Sequence, residues 1–469
     1  MNHIATRRGF IKTAGLAASA SLIAPFFIDD IALAAPIGVR RNVGNMSSTD
    51  PIIIAYRKAI KAMQALPATD PRSWSYQAAI HGTIASTMQT AWNSCEHGSL
   101  WFWPWHRMYL YWFERICRKM SGDCDSCWTL PYWDWSSPTQ RQLPPMFRDT
   151  SSELYVANRS AAMNSGAGSL PASYVDYSSA FSQTNYSGAS GTLEGTPHGA
   201  VHVGIGGWMG SVPTAAQDPI FYLHHCNVDR LWNLWLAQGG GRADPTGDAT
   251  WKSRKFTFFD ENGYEVQMTT CQVLRAAEQL YYSYEGEPDQ IKQYCERIRI
   301  HWKFEDLVLV RFPLPPIELV AQPVTLNLDL RESAASLSKL SDDNNQTLLL
   351  QLSDVVAEHT PGVVWEVHLG ARGTALRSDS ASFVGNIALF GDGVKAEAHH
   401  EFKPARFAFP LSNDLVKRLK AGKPLPLSFI ARGILIDGKE SAVKPESTVR
   451  IGGVSLLLEK RTEVGEKGE

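Results

Sequence analysis

Seven histidines stand in two groups in the first half of the chain: His81, His97 and His106, then His198, His202, His224 and His225. One buried imidazole is ordinarily a satisfied core residue. Seven in two groups constrain the topology, because a fold that gathers them must give every ring nitrogen a partner. His198 and His202 stand four residues apart, so on a helix both project from one face and reach one metal ion together. The run His198-Gly199-Ala200-Val201-His202 lacks the Glu that a zinc-protease helix carries at its second position. All-nitrogen ligation suits copper, zinc or iron, and no carboxylate falls in the pattern of a two-histidine, one-carboxylate iron site. Residue types and spacing thus reach a dinuclear histidine metal site and leave the metal open. Asp229, one turn beyond His225, is placed to orient a neighbouring histidine.

Apolar residues recur at helical spacing over 75–87, 105–119 and 219–238, and Asp218-Pro219 supplies an N-cap followed by Pro at the first helical position. Twelve of the 15 Trp precede residue 240, whereas the later chain is rich in Val, Leu and Ile, which implies two cores of different make-up. The expected fold is therefore a mainly α domain over 35–312, a helical bundle around the metal site, followed by an all-β sandwich over 324–458. Ala161 to Thr192, rich in Ser, Gly, Ala and Tyr, reads as a long loop between two helical halves. The run Phe312-Pro313-Leu314-Pro315-Pro316 reads as a hinge opening a linker over 313–323. After it, 324–330, 363–369, 382–390, 425–436 and 448–458 read as strands. Residues 459–469 are charged, lack an apolar face and read as a disordered tail.

A net charge of -2 with 20% charged residues gives no basic excess for nucleic acid. At the N-terminus Thr6-Arg7-Arg8-Gly9-Phe10-Ile11-Lys12 resembles a twin-arginine export signal, followed by an apolar stretch to Ile28 and the small-residue site Ala32-Leu33-Ala34. That stretch is shorter than the roughly 20 apolar residues of a membrane span and is broken by Pro25. The expectation is a cleaved signal over 1–34, no stable membrane anchor afterwards, and a periplasmic or extracellular protein. Cys117, Cys124 and Cys127 have no second CxxC with which to complete a zinc site, so they read as disulfide-bonded or buried thiols.

The segments His97-Gly98-Ser99-Leu100-Trp101-Phe102-Trp103-Pro104-Trp105-His106-Arg107 and Asp218-Pro219-Ile220-Phe221-Tyr222-Leu223-His224-His225-Cys226-Asn227-Val228-Asp229-Arg230-Leu231-Trp232 resemble the two copper-binding motifs of the tyrosinase and catechol oxidase family and of its relatives, the mollusc hemocyanins. The spacings agree: 16 residues from His81 to His97, 9 from His97 to His106 and 4 from His198 to His202. The resemblance covers about residues 50–305. It implies that His81, His97 and His106 bind one copper ion, that His198, His202 and His225 bind a second, and that His224 is not a ligand. It implies oxidation of o-diphenols, and of monophenols or o-aminophenols, to quinones or quinone imines with dioxygen. A dioxygen carrier without turnover is the alternative.

Further expectations follow from the same resemblance. Cys95-Glu96-His97 is similar to a Cys-x-His in which the sulfur is joined to the ligand ring. Such a thioether leaves six cysteines, a number compatible with three disulfides. Glu194 occupies the place of a Glu that holds a water for phenol deprotonation. Gly199 stands where relatives that hydroxylate monophenols often carry Asn, and Gly offers no side-chain donor or acceptor. Val212 corresponds to a bulky gate, so with Gly199 it implies a wide entrance. The C-terminal β-domain resembles one that covers the site, with Phe383, Leu389 or Phe390 as the residue inserted there. His399-His400 reads as a solvated surface pair.

Overall fold

The computed structural model describes residues 38–122, 128–287, 301–331, 337, 346–391, 393–395 and 402–464. Asp50 opens the Pro51–Gln64 helix: its Oδ1 accepts from the Ile52 amide at 2.9 Å, and Pro at the first position lacks an N–H that would have had no partner anyway. Ser73 caps Trp74–His81 by accepting from the Tyr76 amide at 3.2 Å. That helix stops at His81, short of the expected residue 87. Gly82 turns extended there and packs so closely that a Cβ on it would lie 2.6 Å from the Val212 carbonyl oxygen. Asp218 Oδ1 accepts from the Ile220 amide at 3.1 Å at the head of Ile220–Ala237, and both Asp218 oxygens take Arg159 N–H groups at 2.7 Å. The Phe102–Met120 and Ile220–Ala237 helices meet through stacked aromatics. Phe113 lies on Tyr222 with centroids 3.5 Å apart, and Trp103 on Trp232 at 5.7 Å.

The stretch expected to be a loop contains three short helices, Ala161–Ser165, Ser178–Ser182 and Tyr186–Leu193. Asn185 caps the last of them through the Gly188 amide, and Tyr186, Ala189 and Leu193 bury one face. Tertiary burial overrides the weak helix propensity of its Ser and Gly.

The C-terminal part is a sandwich of two antiparallel sheets. One runs in the order Phe383–Ala388, Val364–Leu369, Leu425–Arg432, Val324–Leu328. The other runs Ala405–Pro410, Gln346–Val356, Val449–Val464, His301–Phe312, with Ile317–Leu319 also beside Val449–Val464. Trp365, Val367 and Phe429 from the first sheet share one core with Leu350, Leu352 and Leu456 from the second. The sheet begins at His301, before the proline run, and the expected linker contains the Ile317–Leu319 strand. The Val449–Val464 strand also runs through the first six residues of the expected tail. Glu459 pairs with Thr347 on one side and Asp306 on the other, so backbone pairing outweighs the polarity of the side chains.

Sandwich and helices belong to one compact unit, Pro36–Glu469. Leu435 and Ile436 pair as strand with Ser169 and Gly168. Tyr174 Oη donates to Arg432 O at 2.7 Å, Asn386 Nδ2 to Ser173 O at 2.7 Å, and Asn185 Nδ2 to the Glu459 carboxylate. Cys117, Cys226 and Cys271 are free thiols, Cys117 buried against Met63, so the three-disulfide scheme does not hold. The N-terminal signal, Cys124, Cys127 and His399-His400 lie outside the described residues. No helix among the described residues is long and apolar enough to cross a membrane.

Glu287 is buried where Tyr284 and Asn233 donate to its Oε2 at 3.2 and 3.3 Å, and burial pushes its carboxyl from an ordinary 4.5 up to about 7. A pKa raised in the folded state favours folding below the unfolded value, and that favour is lost as pH rises through 7. The penalty at pH 8 is about 3 kcal/mol at 1.4 kcal/mol per unit. Glu287→Gln is therefore expected to raise the melting temperature at pH 8 by several degrees and to leave it nearly unchanged at pH 4. Equal shifts at both pH values would sink this account.

Candidate metal centre

His81 ends its helix, His106 sits just inside the Phe102–Met120 helix, and His225 lies in the second turn of Ile220–Ala237. His97 comes from the loop before Phe102. His198 closes a π-type turn, Glu194–Gly199, that runs into the Ala200–Ile205 helix carrying His202. Each of four rings is held through Nδ1 by a backbone carbonyl: His81 to Val212 O at 3.1 Å, His106 to Phe102 O at 2.7 Å, His198 to Glu194 O at 2.9 Å and His202 to Met209 O at 2.8 Å. A carbonyl only accepts, so each Nδ1 carries the proton and each Nε2 keeps its lone pair.

The donor atoms of His81, His97 and His106 lie within 4.8 Å of one another, as do those of His198, His202, His224 and His225. The two groups touch: the His106 and His225 rings stack with centroids 4.4 Å apart and planes 6° apart. Nε2 of His106 and of His198 is buried with no protein partner, a cost of about 1–3 kcal/mol each that a bound ion would relieve. His202 Nε2 and His225 Nε2 are 3.4 Å apart. Two imidazole nitrogens each about 2 Å from one ion at a near-tetrahedral angle stand about 3.3 Å apart, so the residues fit a shared metal. Burial holds the His106, His202, His224 and His225 rings well below the usual imidazole range and pushes His198 down to about 3. All five are neutral at physiological pH, the form that binds metal.

Cys95 Sγ lies 3.4 Å from His97 Nδ1. Glu194 bridges the groups, its carbonyl holding His198 and its Oε1 accepting from the Gly98 amide, beside His97, at 2.7 Å. Asp229 does not orient a histidine, contrary to expectation. Its carboxylate is taken by Arg107 and Arg40 and by the Tyr282 and Tyr284 hydroxyls at 2.6 and 2.7 Å. These cations outcompete a neutral ring, and they hold the carboxyl below its usual range against the opposing effect of burial. Arg107 follows His106 directly, so Asp229 ties the two ligand-bearing helices together.

The wide entrance expected from Gly199 and Val212 is filled. Phe390 lies flat on His202, centroids 3.8 Å and planes 12° apart, and is 5.6 Å from the His198 ring and 5.7 Å from the His97 ring. Leu389 belongs to the sandwich core, and Phe383 packs on His368. A Cβ on Gly199 would meet Phe390 Cβ at 3.5 Å and Ala388 Cβ at 3.6 Å. A Cβ on Gly391, whose φ is 79°, would come within 2.9 Å of Val212 Cγ2. Val212 is 2% exposed. A cleft of about 780 Å³ between helices and sandwich has Gly98, Glu194 and Phe390 among its lining residues. Phe221, not foreseen from the sequence, packs 4.2 Å from His225 and 4.7 Å from His81.

The model of the common central domain of tyrosinase matches residues 71–166 and 156–238, and that of the polyphenol oxidase middle domain matches 246–293. A tyrosinase of Hahella sp. (strain CCB-MM4) is 36% identical over 287 residues, 50% of this chain and 60% of that protein. The latent-form chloroplastic polyphenol oxidase of Prunus armeniaca is 30% identical over 405 residues, 75% of this chain and 66% of that protein. The chain thus spans less than two thirds of the length of either relative. Latent apple tyrosinase shares the fold at a TM-score of 0.64 and 23% identity, over 92% of this chain and 99% of that one. Latent aurone synthase from its natural source does so at 0.65 and 20%, over 92% and 91%. Fold and histidine groups define a type of protein built to hold a dinuclear metal centre. The chain belongs to the tyrosinase and polyphenol oxidase family, whose centre is a pair of copper ions.

Removing the Asp229 carboxylate leaves Arg107 and Arg40 buried with a shared partner gone. Asp229→Ala is expected to cost about 3–5 kcal/mol in urea unfolding. A loss under about 1 kcal/mol, the size of an exposed pair, would show that the network is not a keystone.

Proposed function

We propose that this chain oxidises phenols with dioxygen at two copper ions, and that its C-terminal sandwich holds the centre closed. The observation that carries the reading is the pair of touching histidine groups with their Nε2 atoms turned inward. His81, His97 and His106 would hold one ion, and His198, His202 and His225 the other. Copper supplies the affinity for dioxygen and the one-electron steps that phenol oxidation requires.

The chain's own residues set what reaches that centre. A phenol loses its proton near pH 10 in water, so a neighbouring carboxylate helps it to bind. Glu194, fixed between the two groups, is placed to hold that proton directly or through water. At Gly199 no side chain assists it, which favours o-diphenols and o-aminophenols over monophenols. We read the Cys95–His97 approach as the precursor of a thioether between the sulfur and a His97 ring carbon, formed with dioxygen as the oxidant that takes up the two hydrogens, which would fix the His97 ring and show as a mass lower by two hydrogens. We also infer export through the Arg7-Arg8 signal; retention inside the cell when both are replaced, Arg7→Lys with Arg8→Lys, would support it.

Phe390 occupies the face of His202 that a phenol ring would use. The word latent in the names of the apricot relative and of both structural neighbours supports this reading of the sandwich as a cover. Freeing a ring that buries about 1.5–3 kcal/mol of apolar surface raises the open population about ten- to a hundredfold. Oxygen uptake by the copper-loaded full chain is the test. Phe390→Ala is expected to raise the rate by that factor, with o-diphenol and o-aminophenol well ahead of the monophenol. Equal rates with and without Phe390 would remove the cover, and reversible oxygen binding without turnover would make the chain a carrier. In the Phe390→Ala background, Gly199→Asn should raise the monophenol rate relative to the o-diphenol rate; an unchanged ratio would exclude Gly199 as a determinant.

A further inference from the structure

His224 is a seventh buried imidazole, beside the second group of donors, and its surroundings give it the opposite proton arrangement from its neighbours. The Trp135 indole Nε1 lies 3.1 Å from His224 Nδ1. An indole N–H only donates, so His224 Nδ1 accepts, and the neutral ring carries its proton at Nε2. At His81, His106, His198 and His202 the proton sits on Nδ1 instead, bound to a carbonyl. His224 Nε2 is buried with no protein partner, while its ring lies 4.7 Å from that of His202 and 5.4 Å from that of His198. A buried N–H without an acceptor costs about 1–3 kcal/mol. That cost falls away when something bound in the pocket accepts from it.

We propose that Trp135 locks His224 as an N–H donor, which keeps it from becoming a fourth nitrogen ligand of the second metal and lets it hydrogen-bond an oxygen or small anion bound there. This rests on the dinuclear reading above. Trp135 is fully buried, and its amide donates to Trp133 O at 2.9 Å, so the indole is fixed before any ligand arrives. His224 precedes His225 on the same helix, and its donor atom falls within the 4.8 Å span of the second group. Without the lock the proton is free to move to Nδ1, and Nε2 then offers a lone pair in reach of the metal. A fourth imidazole would close the coordination position that a reacting site keeps open. Trp135 is therefore a positioning residue that acts through His224.

The test uses the full chain, loaded with copper, reduced so that the metal is diamagnetic, and labelled with heavy nitrogen at histidine. Nitrogen shifts separate rings protonated at Nδ1 from rings protonated at Nε2. One ring, identified by its loss in His224→Asn, is expected in the Nε2–H form, and Trp135→Phe should move that ring to the Nδ1–H form. His224→Asn should still take up two copper ions per chain by atomic absorption. A His224 ring already in the Nδ1–H form, a Trp135→Phe variant that leaves it unchanged, or a His224→Asn variant that holds one ion would each overturn the proposal. A wild-type chain that takes up fewer than two ions would remove the dinuclear reading itself, and this inference with it.

Discussion

Four carbonyl oxygens decide where the metal-facing nitrogens point, and the rest of the site depends on them. Two are local. Phe102 O and Glu194 O each lie four residues before the histidine they hold, so the backbone that places the ring also aims it. The other two are not local. Met209 O and Val212 O come from one short segment, and that segment serves His202 in the second group and His81 in the first. A single run of chain thus sets the orientation of rings on both sides of the centre. It reaches that position only because glycine lets it: a Cβ on Gly207 would lie 1.6 Å from Asn158 O, and one on Gly82 would press on Val212 O.

A second tie works through charge. Arg107, Arg40 and Asp229 are removed from water together, and desolvation of this kind is repaid only where every donor finds an acceptor. Arg107 meets that condition through Asp229, Asn233 and the Val273 carbonyl, and its guanidinium lies 3.8 Å above the Trp232 ring. Being next in sequence to His106, it converts a charge network into the rigidity of a ligand. Rigidity counts here because imidazole nitrogens displaced by a few tenths of an ångström no longer share one ion.

Much of the centre was legible in the sequence because it is written in short spacings. The four-residue step from His198 to His202 survives as a helical face, and Asp218-Pro219 does open the helix that carries His225. What depended on distant partners was not legible. Asp229 sits one turn from His225 and invites pairing with a histidine, but two arginines from elsewhere in the chain claim it. The Ser- and Gly-rich stretch after Ala161 looked irregular because its helices are stabilised by burial and not by propensity. Phe383, Leu389 and Phe390 all fall in the strand expected over 382–390, and nothing in that pattern singles out the one that meets the site. Only the fold shows that the sheet ends at Ala388, which lets Phe390 leave the sandwich and meet His202.

Closure and chemistry meet at position 199. A Cβ at this position would stand 3.3 Å from Glu194 O and in ordinary van der Waals contact with the β-carbons of Phe390 and Ala388, so the seated cover leaves room for a methyl and little beyond it. In the proposed reaction an amide at the same position would help Glu194 to draw the proton from a monophenol. The two demands meet in one space, because a side chain longer than a methyl would have to pass the β-carbons of Phe390 and Ala388. On the proposed reaction, a chain with Gly199 would forgo that assistance and would favour substrates that need less help in losing a proton. Gly391 makes the same accommodation on the facing side, its left-handed backbone carrying the turn over Val212 and past His97. With Phe390 stacked on His202, a rotation of Val212 alone would leave that face of the ring covered.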